Sequence, residues 1–98
     1  MRVRTRPARD SLTRPWPEGP GNETSLLYDN EVVRLGPLGS AIVSHAVQPV
    51  TPRELAAALQ AEFGAPAGDP LAATQTAVDD LISRRVLERL STEDEDKT

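Results

Sequence analysis

Residues 25–38 read Ser25-Leu26-Leu27-Tyr28-Asp29-Asn30-Glu31-Val32-Val33-Arg34-Leu35-Gly36-Pro37-Leu38, and their order decides the fold. Strand-like runs from Ser25 to Tyr28 and from Glu31 to Leu35 flank Asp29-Asn30, two residues that tolerate the positive φ of a tight turn, so a β-hairpin is expected. Side chains alternate along a strand, which puts Glu31, Val33 and Leu35 on one face and Val32 and Arg34 on the other. Leu35 is expected to enter the core, and the apolar content of both faces predicts cover for Val32 as well. Gly36-Pro37 then ends the strand and opens a helix, because proline suits a first helical position whose N–H has no partner.

Beyond the hairpin, Leu38, Ala41, Ile42, His45 and Ala46 recur at helical spacing and predict a helix over about 37–47. Thr51-Pro52-Arg53-Glu54 has the form of a capping box and starts a second helix that carries Leu55, Ala58, Leu59, Glu62 and Phe63, with Gly64 as its stop. Past a loop from Ala65 to Gly68, Asp69-Pro70 repeats the cap-then-proline signal. Leu71, Thr74, Val78, Leu81, Ile82 and Arg85 mark one face of a third helix ending near Arg85. Val86 to Leu90 reads as a brief closing strand.

Upstream, residues 1–23 mix Arg2, Arg4, Arg6, Arg9 and Arg14 with Pro7, Pro15, Pro17 and Pro20. Proline blocks helix and most central-strand pairing, so this segment is expected to be an extended arm outside the domain. A short strand around Ser11 to Arg14 is compatible with the residues there, and Trp16 is the natural docking point. The domain proper then spans 24–90, and Glu93-Asp94-Glu95-Asp96 marks 91–98 as an acidic flexible tail.

A chain of 98 residues supports one modest core, so one domain is expected rather than a catalytic domain plus a recognition domain. With one Trp, one Tyr and one Phe, aliphatic residues must build that core. The absence of cysteine removes disulfides, thiolate nucleophiles and Cys-based zinc sites, and a single histidine cannot supply a metal cluster. His45 falls on the apolar face of the first helix, where a core or half-buried histidine is a better reading than a general base. No phosphate loop and no nucleophile-base spacing is present, so no enzymatic activity and no cofactor are expected. The arginine-rich N-terminus is followed by no apolar run of signal length, and no stretch approaches the roughly 20 apolar residues that span a bilayer. A cytoplasmic location without a membrane partner is expected. The net charge of −4 argues against a general nucleic-acid partner.

The residues that carry a resemblance are Leu27-Tyr28-Asp29, then Val33-Arg34-Leu35-Gly36-Pro37-Leu38-Gly39 running into Ile42. Thr51-Pro52-Arg53-Glu54-Leu55 through Leu59 to Phe63-Gly64, and Val78 through Leu81-Ile82 to Val86-Leu87, complete the set. In this order and spacing the chain resembles the PqqD-like family of precursor-recognition domains. It departs from the family pattern at Gly36, where Asn is usual, at Leu38, where Thr is usual, near Val43, where a Trp is frequent, and at Val86, where Gly is frequent. The resemblance implies an α+β fold, a small winged-helix-like domain with a three-stranded antiparallel sheet packed on three helices.

The resemblance also implies a partner and a site. The partner is the leader segment of a ribosomally made precursor peptide, held for a separate modifying enzyme or leader peptidase. The peptide would add as a strand to the edge formed by Glu31, Val32, Val33, Arg34 and Leu35, with Val78, Leu81, Ile82 and Arg85 of the third helix as the facing wall. An unpaired sheet edge gives such a peptide main-chain affinity, and side-chain pockets give it specificity. Val32, Val78 and Ile82 are expected to take leader side chains, with Arg34, Arg84 and Arg85 pairing with leader carboxylates and Glu31 or Asp79 steering register. Against this stand plain core roles for Leu81 and Ile82 and solvated-surface roles for the arginines. The alternative function is a winged-helix DNA-binding regulator, which Asp79 and Asp80 on the third helix disfavour because a recognition helix presents Arg, Lys, Asn or Gln to base edges.

Overall fold

The computed structural model of the chain describes residues 2–64 and 68–90. The elements run β1 (Arg2–Thr5), β2 (Asp10–Pro15), β3 (Asn22–Leu27), β4 (Val32–Leu35), α1 (Pro37–His45), α2 (Pro52–Phe63), α3 (Pro70–Ser83) and β5 (Leu87–Leu90). A three-stranded antiparallel sheet in the order β2-β3-β4 packs on the helices, and β1 pairs with β5 in a second, two-stranded sheet. The α+β class with three helices and a three-stranded antiparallel sheet is therefore as expected. The acidic segment 91–98 and residues 65–67 lie outside the described residues.

The Asp29-Asn30 hairpin forms as predicted. The Tyr28 N–H donates to the Glu31 carbonyl at 2.8 Å, and Leu27 stands opposite Val32. Val33 and Leu35 point into the core, while Val32 and Arg34 face out. The expectation that Val32 finds cover fails, for it is 58% exposed. Its outward neighbours in the sheet, Leu27 and Leu12, are themselves exposed, and no element of the described residues covers the three.

Residues 1–23 are the main departure from the sequence reading. They contribute two strands to the fold rather than an arm outside it, and the second of these, β2, is the short strand that the residues from Ser11 to Arg14 allowed. Val3 is fully buried in the core, and its N–H and C=O exchange hydrogen bonds with Val50 at 2.8 and 3.0 Å. Thr5 N–H donates to the Ala46 carbonyl and Arg6 N–H to the Val86 carbonyl, so β1 is tied down on both sides. Across the β1–β5 pair, Arg4 stands opposite Glu88 and forms an ion pair with it. The proline count misled because Pro15 occupies an edge strand. Trp16 bonds to Gly21 at 3.0 Å and Pro15 is the next rung, so the N–H that proline lacks would have pointed away from β3. Trp16 closes the β2–β3 hairpin instead of docking an arm.

The helix starts follow their caps. The Thr51 hydroxyl accepts from the Glu54 N–H while the Glu54 carboxylate accepts from the Thr51 N–H, the reciprocal capping box expected there. Asp69 caps α3 by accepting from the Leu71 N–H, and Gly64 takes a positive φ as α2 ends. Ile42 of α1, Leu55 of α2, and Val78 and Leu81 of α3 meet Leu26, Val33 and Leu35 of the sheet in one core, with Val3, Val86 and Leu87 closing it from the two-stranded side.

Candidate functional site

The edge of β4 is open. Because Tyr28 and Glu31 form a hydrogen-bonded pair, the alternation of an antiparallel ladder turns the N–H and C=O of Val33 and Leu35 toward β3 and those of Val32 and Arg34 away from it. Among the described residues no turn or inter-element backbone hydrogen bond engages Val32 or Arg34. The edge therefore presents two residues' worth of unpaired donors and acceptors.

Beside this edge lies a cleft of about 180 Å³. Arg34 and Leu35 form one wall, Ala77, Asp80, Leu81 and Arg84 of α3 form the other, and the first turns of α1 supply the floor through Leu38, Gly39 and Ile42. Gly39 lets that floor approach the strand, since a Cβ there would stand 3.2 Å from the Leu35 Cβ. At the rim, the Arg84 guanidinium stands 3.2 Å from the Asp80 carboxylate, one helical turn away, while Arg34 forms no ion pair with any described residue. The site thus has an aliphatic floor and a rim whose unpaired charge is positive.

The predicted site residues divide into three groups. Arg34, Leu35 and Leu81 line the cleft together. Val33 and Val78 are core residues, and Ile82 is half-buried and packed against the core. Val32 and Glu31 are exposed, and the side chain of Val32 lies on the outer face of the sheet in a shallow depression with Leu12 and Leu27, not in the cleft with α3. Val78 is thus closed off in the core, and the Val32 side chain lies outside the cleft. The backbone of Val32 belongs to the open edge all the same.

Arg85 also departs from expectation, because α3 ends before it. Ser83 is the last helical residue, Arg84 is the C-cap, and Arg85 takes a left-handed φ of 64°. Its N–H donates to the Ile82 carbonyl at 3.0 Å and that of Val86 to the Leu81 carbonyl at 2.9 Å, the two bonds of a Schellman motif. The turn carries the Arg85 side chain off the helix face that lines the cleft. Sequence reading missed Leu38, Gly39, Ala77 and Asp80. Helical periodicity from Leu81 would have found Ala77, one turn back on the same face.

His45 is exposed, not in the core, with its Nε2 3.7 Å from a Glu62 carboxylate oxygen. Among the described residues no group of three or more metal-ligating side chains converges, and no helix is long and apolar enough to cross a membrane. Comparison of the chain with family models, curated proteins and solved structures finds no match in any of the three.

Proposed function

We propose that the protein is a non-catalytic, cytoplasmic recognition domain that holds the leader segment of a ribosomally synthesised precursor peptide as an added strand along β4 and presents it to a separate modifying or processing enzyme. The observation that carries this reading is the open edge at Val32 and Arg34 facing α3 across a cleft with an aliphatic floor. An extended segment laid there pairs its main chain with β4, and every second side chain drops into the cleft toward the exposed Leu38. Arg34 at the rim favours a segment with a carboxylate at the matching position. The resemblance of residues 27–87 to the PqqD-like family points to the same edge and the same helix. The three helices and the three-stranded antiparallel sheet are those that the resemblance implies.

The test is a titration of the full chain, followed by amide NMR, with synthetic leader segments of short peptides encoded beside it and a DNA duplex as control. Saturable shifts at Val32 to Leu35 and at Ala77 to Arg84, with micromolar affinity or better, about −8 kcal/mol, support strand addition. Arg34→Pro removes a donor that faces away from β3, a position where an edge strand tolerates proline, so it should leave the fold intact and abolish these shifts. Salt-sensitive DNA binding without a peptide response overturns the proposal in favour of a regulator.

A further inference from the structure

The opposite edge of the same sheet has a groove of its own. No residue of β2 is buried. Beneath it lies a cleft of about 310 Å³, roofed by Ser11 and Thr13, floored by Ser44 and Val47, and closed at one end by Glu62 and Phe63. The hydrogen-bonded rung at Trp16 and Gly21 fixes the alternation along β2, so the backbone of Ser11 and Thr13 faces away from β3. The Ser11 N–H is engaged by the Asp10 carboxylate at 2.8 Å, which leaves the Ser11 C=O and both backbone groups of Thr13 on the open side.

A chain of hydroxyls leads into this cleft. Thr13 and Thr24 are 3.0 Å apart, Thr24 and Ser40 are 2.5 Å apart, and Thr24 and Ser40 are both buried. Three hydroxyls carry three protons for two hydrogen bonds, so one proton is surplus. Among the described residues the Ser40 hydroxyl has no acceptor but Thr24, and a buried O–H without an acceptor costs about 1 to 3 kcal/mol. The arrangement that avoids this cost runs Ser40 to Thr24 to Thr13 and turns the surplus O–H of Thr13 into the cleft. At the far end, Glu62 is the only ionisable residue among the described residues of the lining. The cleft therefore offers a hydroxyl donor and an open strand edge on one side and a carboxylate on the other.

We infer that the cleft beneath β2 is a second strand-addition site, for an extended segment that carries a lysine or arginine side chain toward Glu62. The segment's backbone pairs with Thr13 and the Ser11 carbonyl, and one of its carbonyls or hydroxyls accepts the Thr13 O–H. Its cation meets Glu62, a carboxylate for which His45 is the competing neighbour. The two edges of the sheet then select opposite charges, a carboxylate at Arg34 and a cation at Glu62. This inference does not depend on the proposed role of the β4 edge.

The probe is a short capped peptide of alternating threonine and valine with a central lysine, set against the same peptide with a central glutamate. Both are titrated into the full chain and into Arg34→Pro, in which the β4 edge is blocked. The lysine peptide should shift the amides of Ser11, Thr13, Ser44 and Glu62 equally in both proteins. It should bind roughly tenfold more tightly than the glutamate peptide, and Glu62→Gln, an exposed substitution that spares the core, should erase that difference. Equal affinity for the two peptides, shifts confined to Val32 to Leu35 and lost in Arg34→Pro, or no shift with either peptide would overturn the inference. Failure of leader binding at β4 alongside a normal lysine-peptide response would overturn only the proposed function.

Discussion

Tyr28 and Arg6 hold each other from two directions. The Arg6 guanidinium stands 4.4 Å from the centre of the Tyr28 ring, and the Arg6 backbone carbonyl accepts the Tyr28 hydroxyl at 3.2 Å. The pair pins the connection after β1 to the turn between β3 and β4. Tyr28→Phe keeps the ring and the cation above it but drops the hydroxyl, so it should cost about 1 kcal/mol of stability, read from denaturant unfolding.

The same hydroxyl predicts an alkaline limb. Burial pushes the Tyr28 hydroxyl above its usual range, opposed by the Arg6 charge and reinforced by Glu31. The folded protein therefore keeps this proton at a pH where the unfolded chain releases it. The stabilisation is complete below about pH 10 and is lost as pH rises through the folded value. Unfolding midpoints measured across that range should fall with pH in the native chain and fall less in Tyr28→Phe.

An acid limb follows from the capping box. The Thr51 backbone N–H and then its hydroxyl, at 2.8 and 3.2 Å from one Glu54 oxygen, hold the Glu54 carboxyl below the usual carboxylate range. Stabilisation from the charged cap is present above about pH 4 and is lost as pH falls through the folded value. Glu54→Gln retains an acceptor without the charge and should flatten this limb. Thr51→Ala removes the hydroxyl that accepts from the Glu54 N–H and should cost about 1 kcal/mol at neutral pH.

What the sequence made legible was what it encodes locally. The hairpin at Asp29-Asn30, the capping box at Thr51 and the Asp69-Pro70 start each rest on residues within four positions of one another, and each forms as read. The pairing of Val3 with Val50 and of Arg4 with Glu88 joins distant segments, and nothing near Val3 announces it. The candidate site was half legible for the same reason. Alternation along β4 separated Leu35 from Arg34, but the residues that complete the cleft, Leu38 and Asp80, come from helices whose placement depends on the whole core.

Val3 provides a direct test of the N-terminal strand. Val3→Ala empties space in a site with no solvent access and should destabilise the fold by about 1 to 3 kcal/mol, whereas a valine on a loose arm would be neutral. Deletion of residues 1–6 removes Val3, the partner strand of β5 and the Arg6 contact with Tyr28 together. The truncated chain should lose cooperative unfolding, visible as a broadened thermal transition.

Arg85 yields a prediction of opposite sign. A residue with a Cβ at φ 64° bears a cost of roughly 1 to 2 kcal/mol that glycine does not, and the Schellman position after a helix is where glycine is most at home. Glycine gives back part of the gain through the extra freedom of the unfolded chain. Arg85→Gly should therefore raise stability by about 1 kcal/mol, or roughly 4 to 8 °C in Tm for a domain of this size. The Arg85 side chain is exposed and does not line the cleft beside β4, whereas Arg84 does. If the cleft holds a leader segment, Arg85→Gly should leave its affinity within about twofold while Arg84→Ala weakens it, because Arg84, unlike Arg85, stands at the rim. A fall in affinity with Arg85→Gly equal to that with Arg84→Ala would move the peptide's path past the end of α3 and away from the cleft between α3 and β4.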